Sequence, residues 1–531
     1  MVLARRLLAW TALSVMSLTA SGCGLFAPED TPEVPDGTVT IAITAPDDLL
    51  PSNVSDGSAA QVVSALFTPL VTYNTQRQPV EAAAQAITST DHKTWTIELA
   101  DGYTFHNGEQ VTARHYIDAW NFAAYGPNKQ RGSYLFERIA GFAELQGTKP
   151  GATELTGLRQ RDARTFTVTL SAPFVDFPAM LGHPAFFPMP TAAFATPGVL
   201  ADGYQNAIIG QGPFQLTGSW AGDEQIDVRK YAAAVTPAKV DGIRFRVYKN
   251  LAAAYADVID GTVDIQANIP PDRVAEARQT LGGRLLSSPG SSMTMLGFPA
   301  LDPAFGRPAV RRAISMAIDR DALVASLMPG SQLAARSFVP PTVVGHRAAG
   351  CGTAGPFDPA AARRAYTAAK GPAALTISYN ADGGHRAWID AVCAQLTTNL
   401  GVACTGHSEP TFSDVLTTVR SATSQRLFRM IWFMNYPSME SYLGPLFTSD
   451  GSSNFPTYRS QELDAAVRSG ASASTPAAAI AGYRRAEAVL ARDMPVVPLR
   501  FSVNNTAHTE RVSGVALDLF DRVDVTQLTL R

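Results

Sequence analysis

The sequence predicts an α/β protein with more than one lobe, and three observations support this class. The chain has 531 residues, which exceeds the size at which one hydrophobic core stops growing. Strand-like segments alternate with helix-like segments along most of the chain, as they do in α/β folds. The composition is that of a globular protein, with 46% hydrophobic residues, 17% charged residues and a net charge of -3. These values exclude the basic surface that nucleic-acid binding requires.

Apolar, β-branched runs predict the strands. They are 38–44, 94–101, 165–170, 243–250, 375–380, 428–436 and 496–505. The stretch 430–443, MIWFMNYPSMESYL, is mostly apolar and has the polar residue Asn435 in its middle. Such a stretch is either a strand buried in a core or the wall of a cleft, and periodicity leaves both interpretations open.

Two predicted helices have clear boundary residues. In the segment 307–330, Pro308 suits the first turn, the apolar side chains share one face, and Gly330 ends the pattern. We therefore expect one helix there. In the segment 111–122, Thr112 can cap a helix that carries several large apolar side chains.

The N-terminus has the pattern of an export signal. Arg5 and Arg6 precede a short apolar run that ends in Ala-Ser-Gly-Cys at Cys23, which resembles the bacterial lipobox. This predicts a signal peptide at 1–22, lipidation of Cys23 and a Pro-rich tether at 23–38. The alternative is a plain secretory signal with an incidental cysteine.

Three further cysteines fit an exported protein. The stretch 388–406, WIDAVCAQLTTNLGVACTG, predicts a helix, a turn at Gly401 and the start of a strand, so that Cys393 and Cys404 can meet. Oxidising conditions would let these two form a disulfide. Cys351 is then left unpaired.

The sequence lacks the common catalytic, metal-binding and cofactor-binding motifs, so we predict no catalytic, metal or cofactor site. The sequence has no G-x-S-x-G, H-E-x-x-H, G-x-x-x-x-G-K-[ST] or C-x-x-C. The glycines of 208–214 fit a tight turn better than a dinucleotide loop. His106 and His115 are best explained as surface or capping residues. A glycosidase carboxylate pair would leave no sequence pattern, so an exported hydrolase stays open as an alternative.

Five segments, in order, resemble the large extracellular solute-binding proteins of ABC importers, the family that includes dipeptide- and oligopeptide-binding proteins. They cover nearly the whole chain after the tether and are 66–120, 208–220, 243–265, 307–324 and 494–505. The resemblance implies the two-lobed periplasmic-binding-protein-like fold, with a hinge between two α/β lobes and an extra subdomain inserted in the first lobe.

The same resemblance implies the domain borders. Lobe I takes 39–67, 191–291 and 503–531, the inserted subdomain takes 68–190, and lobe II takes 292–502. It also implies a monomer, without enzymatic activity, that closes on a peptide or peptide-like solute and delivers it to ABC permease and ATPase subunits. Together with the lipobox, it predicts a lipoprotein on the outer face of the cytoplasmic membrane.

In peptide-binding members of the family, a strand equivalent to 428–436 lines the cleft with a Trp and, three residues later, an Asp that binds the α-ammonium of the peptide. Trp432 matches this Trp, and the W-x-x-x-Y spacing makes Asn435 match the Asp. Asn offers a carbonyl acceptor but no charge, so it should hold a cationic amine less strongly. Tyr436, with Met434 and Met439, would suit a soft, promiscuous wall or a core equally.

The resemblance marks further candidate ligand contacts. His385, Arg420 and Arg429 match residues near the carboxylate end of the ligand, where an Arg fork pairs well. The remaining candidates could pair with the ligand backbone or border the cleft: Asn454, Ser55, Asp56, Gly57, Arg131 and Tyr134.

Two other functions remain open from the sequence. The Asn at position 435 would also fit a sensor or regulatory lipoprotein that kept the fold and passes a signal to a partner. The cargo could instead be another small solute, such as haem, a metal chelate or a sugar.

Overall fold

The structure is a computed structural model that describes residues 36–222, 224–299, 302–420 and 425–531. The predicted signal peptide, Cys23 and nearly all of the predicted tether lie outside the described residues. Gly37–Arg531 form one compact unit. In the described part of the chain, no helix is both long enough and apolar enough to cross a membrane.

The strands, in chain order, have the following bounds. They are β1 Thr38–Ile43, β2 Val71–Tyr73, β3 Pro79–Glu81, β4 Ala84–Thr88, β5 Thr94–Leu99, β6 Leu158–Gln160, β7 Thr165–Thr169, β8 Phe194–Thr196, β9 Val199–Leu200, β10 Phe214–Leu216, β11 Gln225–Lys230, β12 Gly242–Val247, β13 Ile265–Gln266, β14 Leu285–Gly297, β15 Gln332–Ala334, β16 Ala374–Asn380, β17 Ala403–Glu409, β18 Leu427–Trp432, β19 Val496–His508, β20 Val512–Ser513 and β21 Thr529–Leu530.

The α-helices have the following bounds. They are α1 Gly57–Leu66, α2 Ala113–Ala124, α3 Phe177–Met180, α4 Leu251–Ile259, α5 Val274–Thr280, α6 Pro308–Met316, α7 Arg320–Leu327, α8 Pro359–Ala368, α9 Arg386–Leu400, α10 Phe412–Arg420, α11 Glu440–Phe447, α12 Gln461–Ala471 and α13 Pro476–Asp493.

One mixed sheet runs through the molecule in the order β10-β11-β12-β1-β13-β19-β14-β18-β16-β17, and β15 also pairs with β19. In one half of the sheet, β1 is parallel to β12 and β13. In the other half, β16 is parallel to β17 and β18. The long antiparallel pair β14 and β19 joins these two parts. β19 reads VVPLRFSVNNTAH and is mostly buried along its length, as expected for a strand covered on both faces.

A separate antiparallel sheet, β4-β5-β7-β6, lies within the predicted insertion 68–190. α2 packs beside it and begins where predicted, because the Thr112 and His115 side chains form a capping box with the first turn. Its Trp120 is fully buried and donates from Nε1 to the Phe186 carbonyl at 3.0 Å. Thus the amphipathic pattern of 111–122 does build a core.

The hydrophobic cores fall into sequence groups that resemble the predicted lobes. The largest combines buried residues between Val39 and Ile265 with the C-terminal residues Val512, Val523, Val525 and Leu528. Two others are built from residues between Met293 and Phe501. Tyr436 and Ala471 depart from this division because both pack in the first core. The exact domain borders remain a prediction.

Two predicted elements differ from the structure. The single helix expected over 307–330 is wrong: α6 ends at Met316, and α7 begins only at Arg320. The break has a local cause, because the Asp319 side chain accepts from the Ala322 N–H and caps a new helix. The strand expected over 428–436 ends at Trp432, so Asn435 lies beyond it.

Candidate ligand-binding cleft

A cavity of about 780 Å³ lies against the middle of the main sheet. Most of its lining comes from four parts of the chain: the end of β1 with the start of α1, the loop 131–134, the residues 431–435 at the end of β18, and strands β14 and β19 with the segment 520–522. Single residues and pairs from elsewhere complete it, namely 183–184, Leu251, 267–268 and Phe412. Because these parts are far apart in sequence, only the tertiary fold forms the cavity.

Trp432 and Asn435 form one wall of this cavity. The indole Nε1 of Trp432 donates to the Ser441 carbonyl at 2.8 Å, which fixes the orientation of the ring. The backbone N–H of Asn435 donates to Ser441 Oγ at 3.0 Å, and its Oδ1 accepts from the Tyr134 hydroxyl at 3.1 Å. Among the described residues, the buried Nδ2 of Asn435 has no hydrogen-bond partner. The wall is therefore held in place by its own hydrogen bonds.

The start of α1 forms the facing wall. Asp56 is the N-cap residue, and its Oδ1 accepts from the Ala59 N–H at 2.8 Å. Gly57 is the first residue of the helix, and a Cβ added there would meet nothing within 4 Å. The carboxylate of Asp56 thus satisfies the helix end, where negative charge is favourable.

The charged groups lining the cavity are partnered or buried. Arg131 donates from Nη1 to Asp47 at 2.8 Å and also contacts Ser55. Arg522 donates from Nε to Asp518 at 2.7 Å. Burial raises the pKa of Asp521 to about 6, although the Ser291 N–H and hydroxyl both donate to it at 3.3 Å.

The cavity brings together seven of the predicted site residues. They are Ser55, Asp56, Gly57, Arg131, Tyr134, Trp432 and Asn435. Met434 also lines the cavity, although it is only 4% exposed.

Tyr436 and Asn454 do not line the cavity. Tyr436 is 3% exposed, packs edge-on against Phe174 and donates its hydroxyl to the buried carboxylate of Glu440. Asn454 closes a turn: its Nδ2 donates to the Thr448 and Tyr458 carbonyls at 2.9 and 2.7 Å, and its Oδ1 accepts from the Tyr458 N–H. The polar groups of both side chains are therefore used in internal structure.

The three predicted carboxylate-binding residues also lie outside the cavity lining. Arg420 is the exposed last residue of α10, with its Cζ 5.4 Å from the Phe455 ring centroid. His385 precedes α9 and accepts from Trp388 Nε1 at 3.3 Å, and burial lowers its pKa to about 4.

Arg429 differs from these two because it borders a cavity residue. It is 6% exposed and donates from Nε to Asn380 Oδ1 at 2.8 Å. Its Cζ lies 4.4 Å from the ring centroid of Phe412, and Phe412 itself lines the cavity. Arg429 is thus one side chain away from the cavity.

Sequence reasoning missed the polar residues that the central strands and the C-terminal segment bring to the cavity. They are Ser291, Ser292, Ser502, Asn504, Asp521 and Arg522. One signal was available: β19 alternates polar and apolar residues in its second half, which puts Arg500, Ser502 and Asn504 on one face. β14 gave no such signal, since its SSPGSS run looks like a loop.

The fold and the cavity together define a solute-binding protein. The family model for bacterial extracellular solute-binding proteins, family 5 (middle part), matches residues 78–454. The chain belongs to this family, whose members bind solutes.

Characterised relatives match over most of their length. The chain is 26% identical over 477 residues to the probable deoxycholate-binding periplasmic protein YgiS of Escherichia coli strain K12, covering 86% of each chain. It is 25% identical over 479 residues to the periplasmic oligopeptide-binding protein OppA of Salmonella typhimurium, covering 86% of this chain and 85% of the relative.

Solved structures share the fold. The Escherichia coli murein tripeptide binding protein MppA superposes with a TM-score of 0.77 at 21% identity, covering 93% of this chain and 98% of MppA. Haemophilus influenzae OppA in complex with RPPGFSPFR superposes with a TM-score of 0.76 at 20% identity, covering 93% and 99%.

Proposed function

We propose that this protein is the substrate-binding component of an ABC importer and captures peptides or peptide-like solutes in the cleft. The observation that carries the proposal is the chemistry of the cavity lining: serine hydroxyls from β14 and β19, the indole of Trp432 and the amide of Asn435 line one cavity, and the lining arginines already pair with acids. Such a wall suits the repeating carbonyl and amide groups of an extended chain, whatever its sequence. The names of OppA and MppA support peptides over the bile acid named for YgiS.

The proposed ligand contacts are the cavity residues found from the sequence. Trp432 gives a fixed aromatic face, while Asn435 and Tyr134 present an amide and a hydroxyl. Gly57 leaves room for a ligand backbone to approach the start of α1. Arg429, whose Nη1 and Nη2 have no hydrogen-bond partner among the described residues, is the proposed partner of the ligand carboxylate.

The proposed mechanism is closure of the cleft around the ligand, without making or breaking a bond. Segments assigned to the insertion and to lobe II already touch: Tyr134 bonds Asn435, and Arg138 forms an ion pair with Glu440. A ligand that contacts both sides stabilises the closed arrangement by its higher affinity for that state. Closure would then present the loaded protein to the permease.

We also propose that Cys23 carries a lipid that holds the protein on the outer face of the cytoplasmic membrane. The support is the sequence pattern of charged, apolar and small residues before Cys23, followed by the Pro-rich tether.

Native mass spectrometry of the protein extracted from membranes with mild detergent tests both parts. We expect the mass of a polypeptide that begins at Cys23 and carries a diacylglyceryl group. We expect the ligands released from it to give a series of peptide masses. A polypeptide beginning elsewhere without lipid would contradict the anchor. A released bile acid, haem or sugar would contradict the peptide cargo.

A further inference from the structure

Arg500 is a buried cation whose guanidinium is left partly unpaired by the described residues. It lies in β19 and is 8% exposed, and its Nε and Nη1 have no hydrogen-bond partner among the described residues. Its Cζ lies 4.6 Å from the ring centroid of Trp388, which is its favourable contact. Burial without a counter-charge destabilises a guanidinium, and accordingly its pKa is lowered to about 10.

A second guanidinium lies on the same face of the sheet. Arg500 pairs across the strands with Thr294, and Thr294 pairs with Ile431. Cross-strand partners point to one face, and Arg429 is two residues from Ile431 in β18, so it shares that face. The positive charge of Arg429 contributes to the lowered pKa of Arg500, and both arginines contribute to the lowered pKa of His385.

The acidic group that acts on this cluster does not balance it. Asp382 is exposed and accepts from Asn380 Nδ2. Burial lowers the pKa of Arg429 to about 10, and the nearby carboxylate of Asp382 only partly opposes this shift. For Arg500 no carboxylate of the described residues opposes the lowering of the pKa by burial and by Arg429. The cluster therefore contains one carboxylate and two guanidinium groups, and its net charge is positive. Within the described part of the chain, Nε and Nη1 of Arg500 have no hydrogen-bond partner, and Nε of Arg429 donates to the neutral amide of Asn380.

The arginine pair is continuous with the cleft. Phe412 stacks on Arg429 and lines the cavity. Ser502 also lines the cavity and lies two residues after Arg500, on the same face of β19. Each arginine therefore lies next to a residue that lines the cavity, although neither arginine lines the cavity itself.

We propose that Arg500 and Arg429 together bind a ligand end that carries two negative charges, such as a C-terminal Glu or Asp with its α-carboxylate and side-chain carboxylate. This inference rests on the proposed peptide-binding function and adds a preference for acidic C-termini. Arg429 takes one carboxylate, and Arg500 takes the second. Each guanidinium then gains the bidentate partner that its planar fork suits.

Two pools of short synthetic peptides, identical except that one ends in Glu and the other in Gln, test this preference. The wild type should bind the Glu pool about tenfold more tightly, since a charged hydrogen-bonded pair replaces a neutral contact. In the Arg500→Met variant the two pools should bind within about twofold of each other. Arg468→Met, the same change at an exposed position of α12, should keep the wild-type preference.

The unliganded melting temperature separates a binding role from a structural role. Arg500→Met removes an unpaired buried charge, so it should melt no lower than the wild type. A variant that melts well below the wild type, or does not fold, would give Arg500 a structural role and overturn the inference. Equal binding of both pools by the wild type would overturn it while leaving peptide binding intact. If the wild type bound neither pool, the proposed function would fail as well.

Discussion

At Asn435 the amide takes the place that the family resemblance gives to an ammonium-binding aspartate. Its Oδ1 already accepts from the Tyr134 hydroxyl, and its Nδ2 is buried without a partner among the described residues. Of the charged residues lining the cavity, Arg131 and Arg522 pair with Asp47 and Asp518, Asp56 caps α1, and Asp521 is buried. A peptide α-ammonium would therefore meet a neutral dipole here, and a charge-assisted bond is stronger than a neutral one.

Changing Asn435 to Asp should strengthen the binding of peptides with a free α-amine. The new carboxylate would pair with the ammonium, and a gain of about 1 kcal/mol corresponds to about fivefold in Kd. Isothermal titration with matched free and N-acetylated peptides measures the effect. The acetylated peptides are the control, because they carry no charge at that end. Equal change for both kinds of peptide would mean that Asn435 does not meet the ligand amine.

The predicted site residues differ in how well the sequence pattern located them at the cavity. The W-x-x-x-Y spacing pointed to Trp432 and Asn435, and both residues line the cavity, while their contact with a ligand stays a prediction. It could not exclude Tyr436, because the chain after Trp432 leaves the strand and turns that ring into the core. The turn role of Asn454 could have been predicted, because 449–456, SDGSSNFP, is a cluster of turn-forming residues and the partner Tyr458 lies only four residues away.

At the scale of elements, short-range rules predicted boundaries well where a local cap fixes them. Gly401 ends α9 with a left-handed φ of 77°, and β17 follows as expected. The 307–330 helix was predicted as continuous because Ala317 and Ile318 keep the apolar period, yet the Asp319 cap interrupts it. β14 was not predicted because Pro289 and Gly290 interrupt its apolar pattern, and its ladder with β19 is irregular there.

The α9–β17 unit contains the disulfide between Cys393 and Cys404, whose Cα atoms are 4.9 Å apart, while Cys351 is buried and free. Thiol labelling of the denatured, unreduced chain should find one reactive thiol besides any at Cys23, and reduction should expose two more. The double change to Ser should reduce the free energy of unfolding by at most about 3 kcal/mol, since the bridged loop is short. Labelling of all three thiols before reduction would refute the bridge.

At the scale of the whole molecule, the long strands β14 and β19 connect the two parts of the sheet and supply serines to the cavity between the walls. The fold class and the order of the segments that resemble the family could be predicted from the sequence alone, because both depend on patterns along the chain. The cavity needed the fold, because its walls come from residues as distant as Ser55 and Arg522.

The central claim is that the cleft binds peptides. The most direct test is to measure the melting temperature of the purified protein at increasing concentrations of a mixed pool of short peptides. The wild type should gain stability with increasing pool concentration, because a ligand that binds only the folded state stabilises it. Trp432→Ala should need about tenfold more pool for the same shift, since it removes the aromatic wall. Phe357→Ala, a change at an exposed residue outside the cavity, should behave as the wild type. A wild type whose melting temperature does not respond to the pool would contradict peptide binding in this cleft.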